Sequence, residues 1–119
     1  MTTATKVYGI PTCGTVNKAK AWLERKGVDY RWVDLRQAPP SRARIKRWLS
    51  AFGSKPMRNT SGGAYRALGP DKKSFSDAQW LDAFAADAML LKRPIVEIDG
   101  KPALVGFKES EYEAKLGRT

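Results

Sequence analysis

An α/β domain with a mixed sheet and helices inserted in its middle is the fold class this sequence predicts. Three observations carry that expectation. A strand–helix–strand pattern occupies residues 6–35, a hairpin signal sits at Asp99-Gly100, and helical periodicity fills the stretch between them. With 119 residues the chain is near the modal size of a single domain, residues 1–119, with the helical insertion at about 40–91.

Each element has a local cause. Lys6–Ile10 (KVYGI) is a β-branched and aromatic run ended by Pro11, which reads as a strand. Thr15–Lys26 places Val16, Ala19, Trp22 and Leu23 on one helical face, with Gly27 as its stop. Tyr30–Leu35 alternates as a second strand, so the three make a right-handed βαβ unit with parallel strands. Pro39-Pro40-Ser41 breaks the chain and starts a helix whose Ile45, Trp48, Leu49 and Phe52 form a stripe, closed by Gly53. Residues 54–63 read as a loop, followed by a helical turn around Tyr65–Leu68. Ser76 and Gln79 form a capping-box pattern ahead of an apolar helical face running to Met89. Ile95–Ile98 and Ala103–Phe107 flank Asp99-Gly100 as a hairpin, and Glu109–Leu116 closes as a short helix. Four strands result, in a mixed sheet.

Composition narrows the chemistry. There is one cysteine, Cys13, so no internal disulfide and no thiolate cluster for a metal can form. No histidine is present, which excludes Ser-His-Asp and Cys-His pairs. No apolar run approaches the roughly 20 residues of a spanning helix. The opening residues lack the basic and apolar regions of a secretory signal, so a cytoplasmic location is expected, without membrane partners.

Charge is uneven. Residues 1–60 hold 13 Lys and Arg against 3 acids, whereas residues 61–119 hold 9 of each. No acid occurs between Asp34 and Asp71, a stretch that contains Arg36, Arg42, Arg44, Lys46, Arg47, Lys55, Arg58 and Arg66. Such a block attracts anionic partners or serves as a solvated face. With no RNA- or DNA-binding signature around it, the solvated face is the expectation and direct nucleic-acid binding is not.

Cys13 stands where the first strand hands over to the first helix, the end of an α/β strand at which ligands bind. The unpaired amides and positive dipole end of that helix favour a thiolate and an oxyanion. Gly14 lets backbone approach a ligand closely, and Thr12 and Thr15 offer hydroxyls.

Pro11–Glu24 (PTCGTVNKAKAWLE), Lys92–Val96 (KRPIV) and Gly100–Phe107 (GKPALVGF), in that order, resemble the ArsC/Spx family. Asn59, Thr60 and Tyr65 extend the resemblance over nearly the whole chain. It implies a thioredoxin-like fold, a catalytic Cys13, and Arg93 beside a cis Pro94. A guanidinium at Arg93 can fork onto two oxygens of an oxyanion or onto a glutathione carboxylate. Arsenate reductases of this type surround the thiol with three arginines. Only Arg93 matches here: the middle position is Asn59, with Arg58 beside it and Thr60 following, and the third falls near Gly106. Spx-type regulators share the helix Asn17–Glu24, but those with a redox switch carry Cys-x-x-Cys, and the second position here is Val16. The resemblance is nearest to the arsenate reductase-related, YffB-like branch, and Gly106-Phe107 and Tyr112 fit that branch.

The resemblance implies a monothiol reductase resolved by an external thiol. Glutathione is the expected co-substrate, with glutaredoxin or thioredoxin as further donors and a disulfide, glutathionylated thiol or arsenate as substrate. No tightly bound cofactor and no metal are expected. The alternative is an Spx-like regulator whose partner is RNA polymerase.

Overall fold

The computed structural model describes residues 4–117. Within them the chain forms two compact units, one from the residues up to Ala38 with those from Arg93 onward, the other from Pro39–Lys92.

The first unit is a four-stranded mixed sheet with two helices. Strand β1 (Thr5–Gly9) leads to helix α1 (Gly14–Arg25) and strand β2 (Arg31–Asp34). The chain re-enters as β3 (Ile95–Ile98), β4 (Lys101–Val105) and α6 (Glu109–Leu116). Strand order is β2-β1-β3-β4, with β1 parallel to β2 and antiparallel to β3. This mixed sheet is the thioredoxin-like arrangement expected.

Local chemistry explains the joints. At the end of α1 the Val28 amide donates to the Leu23 carbonyl (2.9 Å) and the Gly27 amide to Glu24 (3.1 Å). Gly27 has φ of +70°, so the helix stops in a Schellman arrangement that a side chain would strain. The β3–β4 turn puts Asp99 and Gly100 at φ of +53° and +78°, the left-handed pair that matches strand twist in a tight hairpin. Pro102 lies in β4, an outer strand, where a missing amide is tolerated.

One face of the sheet carries the core. Val7, Val96 and Leu104 pack with Ala19, Trp22 and Leu23 of α1 and with Tyr112 and Leu116 of α6. Gly9 permits this layer to close. A Cβ built there would stand 2.7 Å from Val16 Cγ2 and 3.3 Å from the Trp32 ring, so a bare backbone at the end of β1 lets the first turn of α1 lie directly on it. On the opposite face Tyr8, Ile95 and Glu97 are buried, and the Tyr8 hydroxyl donates to Glu97 Oε1 at 3.0 Å. Exposed ion pairs Arg25–Glu109 and Lys26–Glu113 join α1 to α6. Such pairs are solvent-screened and fix geometry more than they add stability.

The second unit is helical. Helix α2 (Arg42–Phe52) packs on α5 (Asp77–Ala86), with α3 (Ser54–Met57), α4 (Gly63–Ala67) and a 3₁₀ segment Pro70–Ser74 between them. Ser41 caps α2 by accepting from the Arg44 amide, and the Ser76–Gln79 capping box has both of its hydrogen bonds. Trp80 is buried amid Tyr65, Phe75 and Phe84, its ring centroid 5.2–6.3 Å from theirs.

Two local expectations need correction. Residues 54–57 form a helical turn rather than loop, because Pro56 falls in a first turn, where its missing amide costs nothing. Helix α5 ends at Ala86 rather than running to Met89. Asp87 turns its carboxylate onto the Met89 amide (2.9 Å) and starts a separate 3₁₀ turn, Ala88–Leu90.

Two outcomes follow from this packing. Gly9→Ala should lower the free energy of urea unfolding by about 1–3 kcal/mol, the usual cost of forcing a methyl into a close contact. A second test uses alkali. Burial, then the hydrogen bond to Glu24, raises the Tyr30 phenol from 10.0 to about 12, and burial, then Glu111, raises Tyr112 in the same direction. Folded pKa values above the unfolded one mean stability is present in full below about pH 10 and lost above it, where the unfolded chain ionises first. Urea midpoints measured through that range should fall, and less steeply in Tyr30→Phe and Tyr112→Phe.

Candidate active site

The Pro11–Cys13 turn carries the chain from β1 into α1. The Cys13 amide donates back to the Ile10 carbonyl (3.3 Å), and the Cys13 carbonyl receives the Asn17 amide (3.0 Å). Cys13 is thus the N-cap residue of α1, with extended backbone, and its side chain makes no capping hydrogen bond. The amides of Gly14, Thr15 and Val16 follow it as the first-turn donors that a helix leaves without intrahelical acceptors. No acidic residue lies in that turn to oppose an anion.

Exposure suits a reactive position. Cys13 is half-buried, whereas Thr12, Gly14 and Thr15 are exposed and Val16 anchors the turn in the core. No atom beyond the neighbouring stretch of chain lies within 4 Å of where a Gly14 side chain would start, so the space beside its Cα is open. Asn17 has a role at this turn that its place in the sequence does not announce. Its Nδ2 donates to the Pro11 carbonyl at 3.2 Å, tying the turn to the helix it precedes. The signal that could have found it is a short amide side chain one helical turn after the cysteine.

Sheet register places Arg93 and Pro94. Tyr8 pairs with Ile95 across the antiparallel β1–β3 ladder. Continued outward, that ladder brings Arg93-Pro94 to the sheet end where β1 delivers the Pro11–Cys13 turn. The Arg93–Pro94 peptide bond is cis, Pro94 is buried and Arg93 is half-buried. The first unit therefore gathers Thr12, Cys13, Gly14, Thr15, Arg93 and Pro94 at one end of its sheet.

Arg58, Asn59 and Thr60 belong to the second unit, where partners invisible in the sequence hold the first two. The Arg58 guanidinium donates to Ser54 Oγ (2.7 Å) and lies 4.3 Å from the Trp80 ring centroid. The Asn59 amide donates to the Leu90 carbonyl (2.8 Å), its Nδ2 to the Met89 carbonyl (3.3 Å), and its Oδ1 accepts from Ser61 (3.2 Å). Thr60 is exposed. Near the third arginine position of the resemblance stands Gly106, buried at φ of +76°, a backbone that disfavours any side chain.

Among the described residues no group of three or more His, Cys, Asp or Glu side chains is placed to hold a metal ion. Among them, too, no helix is long and apolar enough to cross a membrane.

Comparison with known proteins agrees with this architecture. Residues 8–115 match the model of the ArsC family. The protein YusI of Bacillus subtilis strain 168 is 39% identical over 110 residues, covering 89% of this chain and 92% of its own. The global transcriptional regulator Spx of Lactiplantibacillus plantarum is 32% identical over 114 residues, covering 94% of this chain and 86% of its own. Among solved structures, the YFFB protein superposes with a TM-score of 0.86 at 32% identity, over 95% of this chain and 99% of its own. With the family model spanning almost its whole length, a mixed sheet in the expected order and Cys13 at the head of α1, the chain belongs to the ArsC family.

Proposed function

We propose that this protein is a glutathione-dependent monothiol reductase in which Cys13 is the nucleophile. The observation that carries the reading is the half-buried Cys13 at the N-terminus of α1, with open space beside Gly14 and hydroxyls at Thr12 and Thr15. Oriented amides at Gly14, Thr15 and Val16 stabilise negative charge beside the sulfur.

In the forward half-reaction the Cys13 thiolate attacks the glutathione sulfur of a glutathionylated thiol. A Cys13–glutathione disulfide forms, the original disulfide breaks, and the substrate leaves as thiolate. Glutathione, as thiolate, then attacks the glutathione sulfur of that adduct, leaving oxidised glutathione and free Cys13. The net exchange reduces the substrate and oxidises glutathione, and no second cysteine of the chain takes part. Arg93 binds a glutathione carboxylate with its fork of donors. Pro94 supports the backbone from which Arg93 projects.

Arsenate fits less well. A charged hydrogen bond contributes roughly 1.5–3 kcal/mol, and only Arg93 occupies an arginine position of the arsenate-reducing pattern. A second reading, an Spx-like regulator acting on RNA polymerase, draws support from the Spx relative and from exposed Lys46, Arg47 and Lys55 on α2 and α3. Val16 at the second position of the Cys-x-x-Cys pattern removes the redox disulfide from that reading.

Intact-protein mass after brief exposure to oxidised glutathione at neutral pH, with free cysteine as the rate reference, tests the first reading. A single glutathione adduct is expected that forms faster than on free cysteine and is lost in Cys13→Ser. An adduct formed no faster than on free cysteine would count against the enzyme. Arg93→Ala should slow the reaction with oxidised glutathione by about ten- to a hundredfold, the equivalent of one lost charged contact. Arsenate turnover coupled to glutathione should be weak; a rate rivalling the disulfide reaction would reverse the substrate assignment.

A further inference from the structure

Helix α6 holds a residue whose contacts run toward both halves of the candidate site. Tyr112 is fully buried and donates its hydroxyl to the Gly106 carbonyl at 2.8 Å. Gly106 in turn donates its amide to the Pro94 carbonyl, also at 2.8 Å. The left-handed backbone of Gly106, φ +76°, turns the chain from β4 toward α6 and leaves both of its peptide groups in use. The Tyr112 ring meets the edge of Trp22 on α1, centroids 5.7 Å apart, and that of Phe107 at 4.8 Å. One side chain thus braces the helix that begins at Cys13. Through a single glycine it also reaches the carbonyl of Pro94, the residue that follows Arg93.

We infer that Tyr112 is a positioning residue for anionic disulfide substrates, fixing the Arg93–Pro94 segment through Gly106; this rests on the reductase reading above. Burial keeps the phenol protonated, a donor throughout the neutral range. The hydroxyl touches neither sulfur nor substrate, so its effect passes through Arg93. Without it the Gly106 carbonyl is left buried without this donor, the β4–α6 turn loosens, and the guanidinium loses its fixed direction while the Cys13 turn, held by Ile10 and Asn17, stays in place.

Two disulfides separate this role from simple packing. Oxidised glutathione is anionic and uses Arg93, whereas dithiodipyridine is uncharged and reports on the thiolate alone. Tyr112→Phe keeps the ring and removes one hydroxyl. It should slow the reaction of Cys13 with oxidised glutathione roughly fivefold, the effect of one ordinary hydrogen bond, and leave the dithiodipyridine rate unchanged. In an Arg93→Ala background the same substitution should have no further effect on either probe. Rates are compared at a temperature at which circular dichroism shows every variant folded. Gly106→Ala, which disturbs the same joint from its other side, should give the same selective loss.

Equal slowing with both disulfides, or additive losses in the double variant, would overturn the inference. A slowed Arg93→Ala beside an unchanged Tyr112→Phe would overturn it while leaving the reductase reading intact. A wild-type rate in Arg93→Ala would remove the arginine from that reading and this inference with it.

Discussion

The contact between Gly9 and Val16 sets the geometry from which the candidate site is built. Strand β1 ends on a residue with no side chain, and the first turn of α1 settles onto its backbone. Val16 is buried there, three residues beyond Cys13, so the close approach fixes where the helix starts and which way its first amides point. A bulkier residue at position 9 would lift α1 away from the sheet and carry the cysteine turn with it. The Trp22 and Leu23 layer, about two turns further along, presupposes the same seating.

Much of the fold could be read from the residues because the decisive interactions are local. Gly27, the Asp99-Gly100 pair and the Ser76–Gln79 box act within a few positions of themselves, and the structure places each as expected. The cysteine turn and the cis Arg93–Pro94 bond were likewise legible, the first from punctuation around Cys13 and the second from family resemblance. What escaped depends on residues far apart in sequence. Arg58 looks like an available cation until Trp80 and Ser54 are brought against it. Nothing near Tyr112 announces that its hydroxyl closes a line through Gly106 to Pro94. Asp87 hides for another reason: a helix-compatible apolar pattern continues past it, and only its own side chain decides otherwise.

The basic stretch divides on inspection into employed and exposed charges. Arg42 bonds to Asp82 of α5, joining the two packed helices, and Arg36 lies beside Asp34. Arg58 is spent on an aromatic ring. Lys46, Arg47 and Lys55 are exposed on α2 and α3. A run that looks uniform in sequence is therefore part scaffold and part surface, and its net charge overstates what is offered to solvent.

Cys13 is the chain's sole sulfur nucleophile, set at the rim rather than sealed in the core. Any disulfide it forms must therefore join two molecules, since no neighbour within the chain can displace the partner. Release depends on whatever thiols surround the protein, so the lifetime of an adduct measures their concentration. A second cysteine at position 16 would expel the partner by closing an internal disulfide, which still needs a reductant from outside. With Val16 there, an adduct on Cys13 persists until a thiol from outside displaces it.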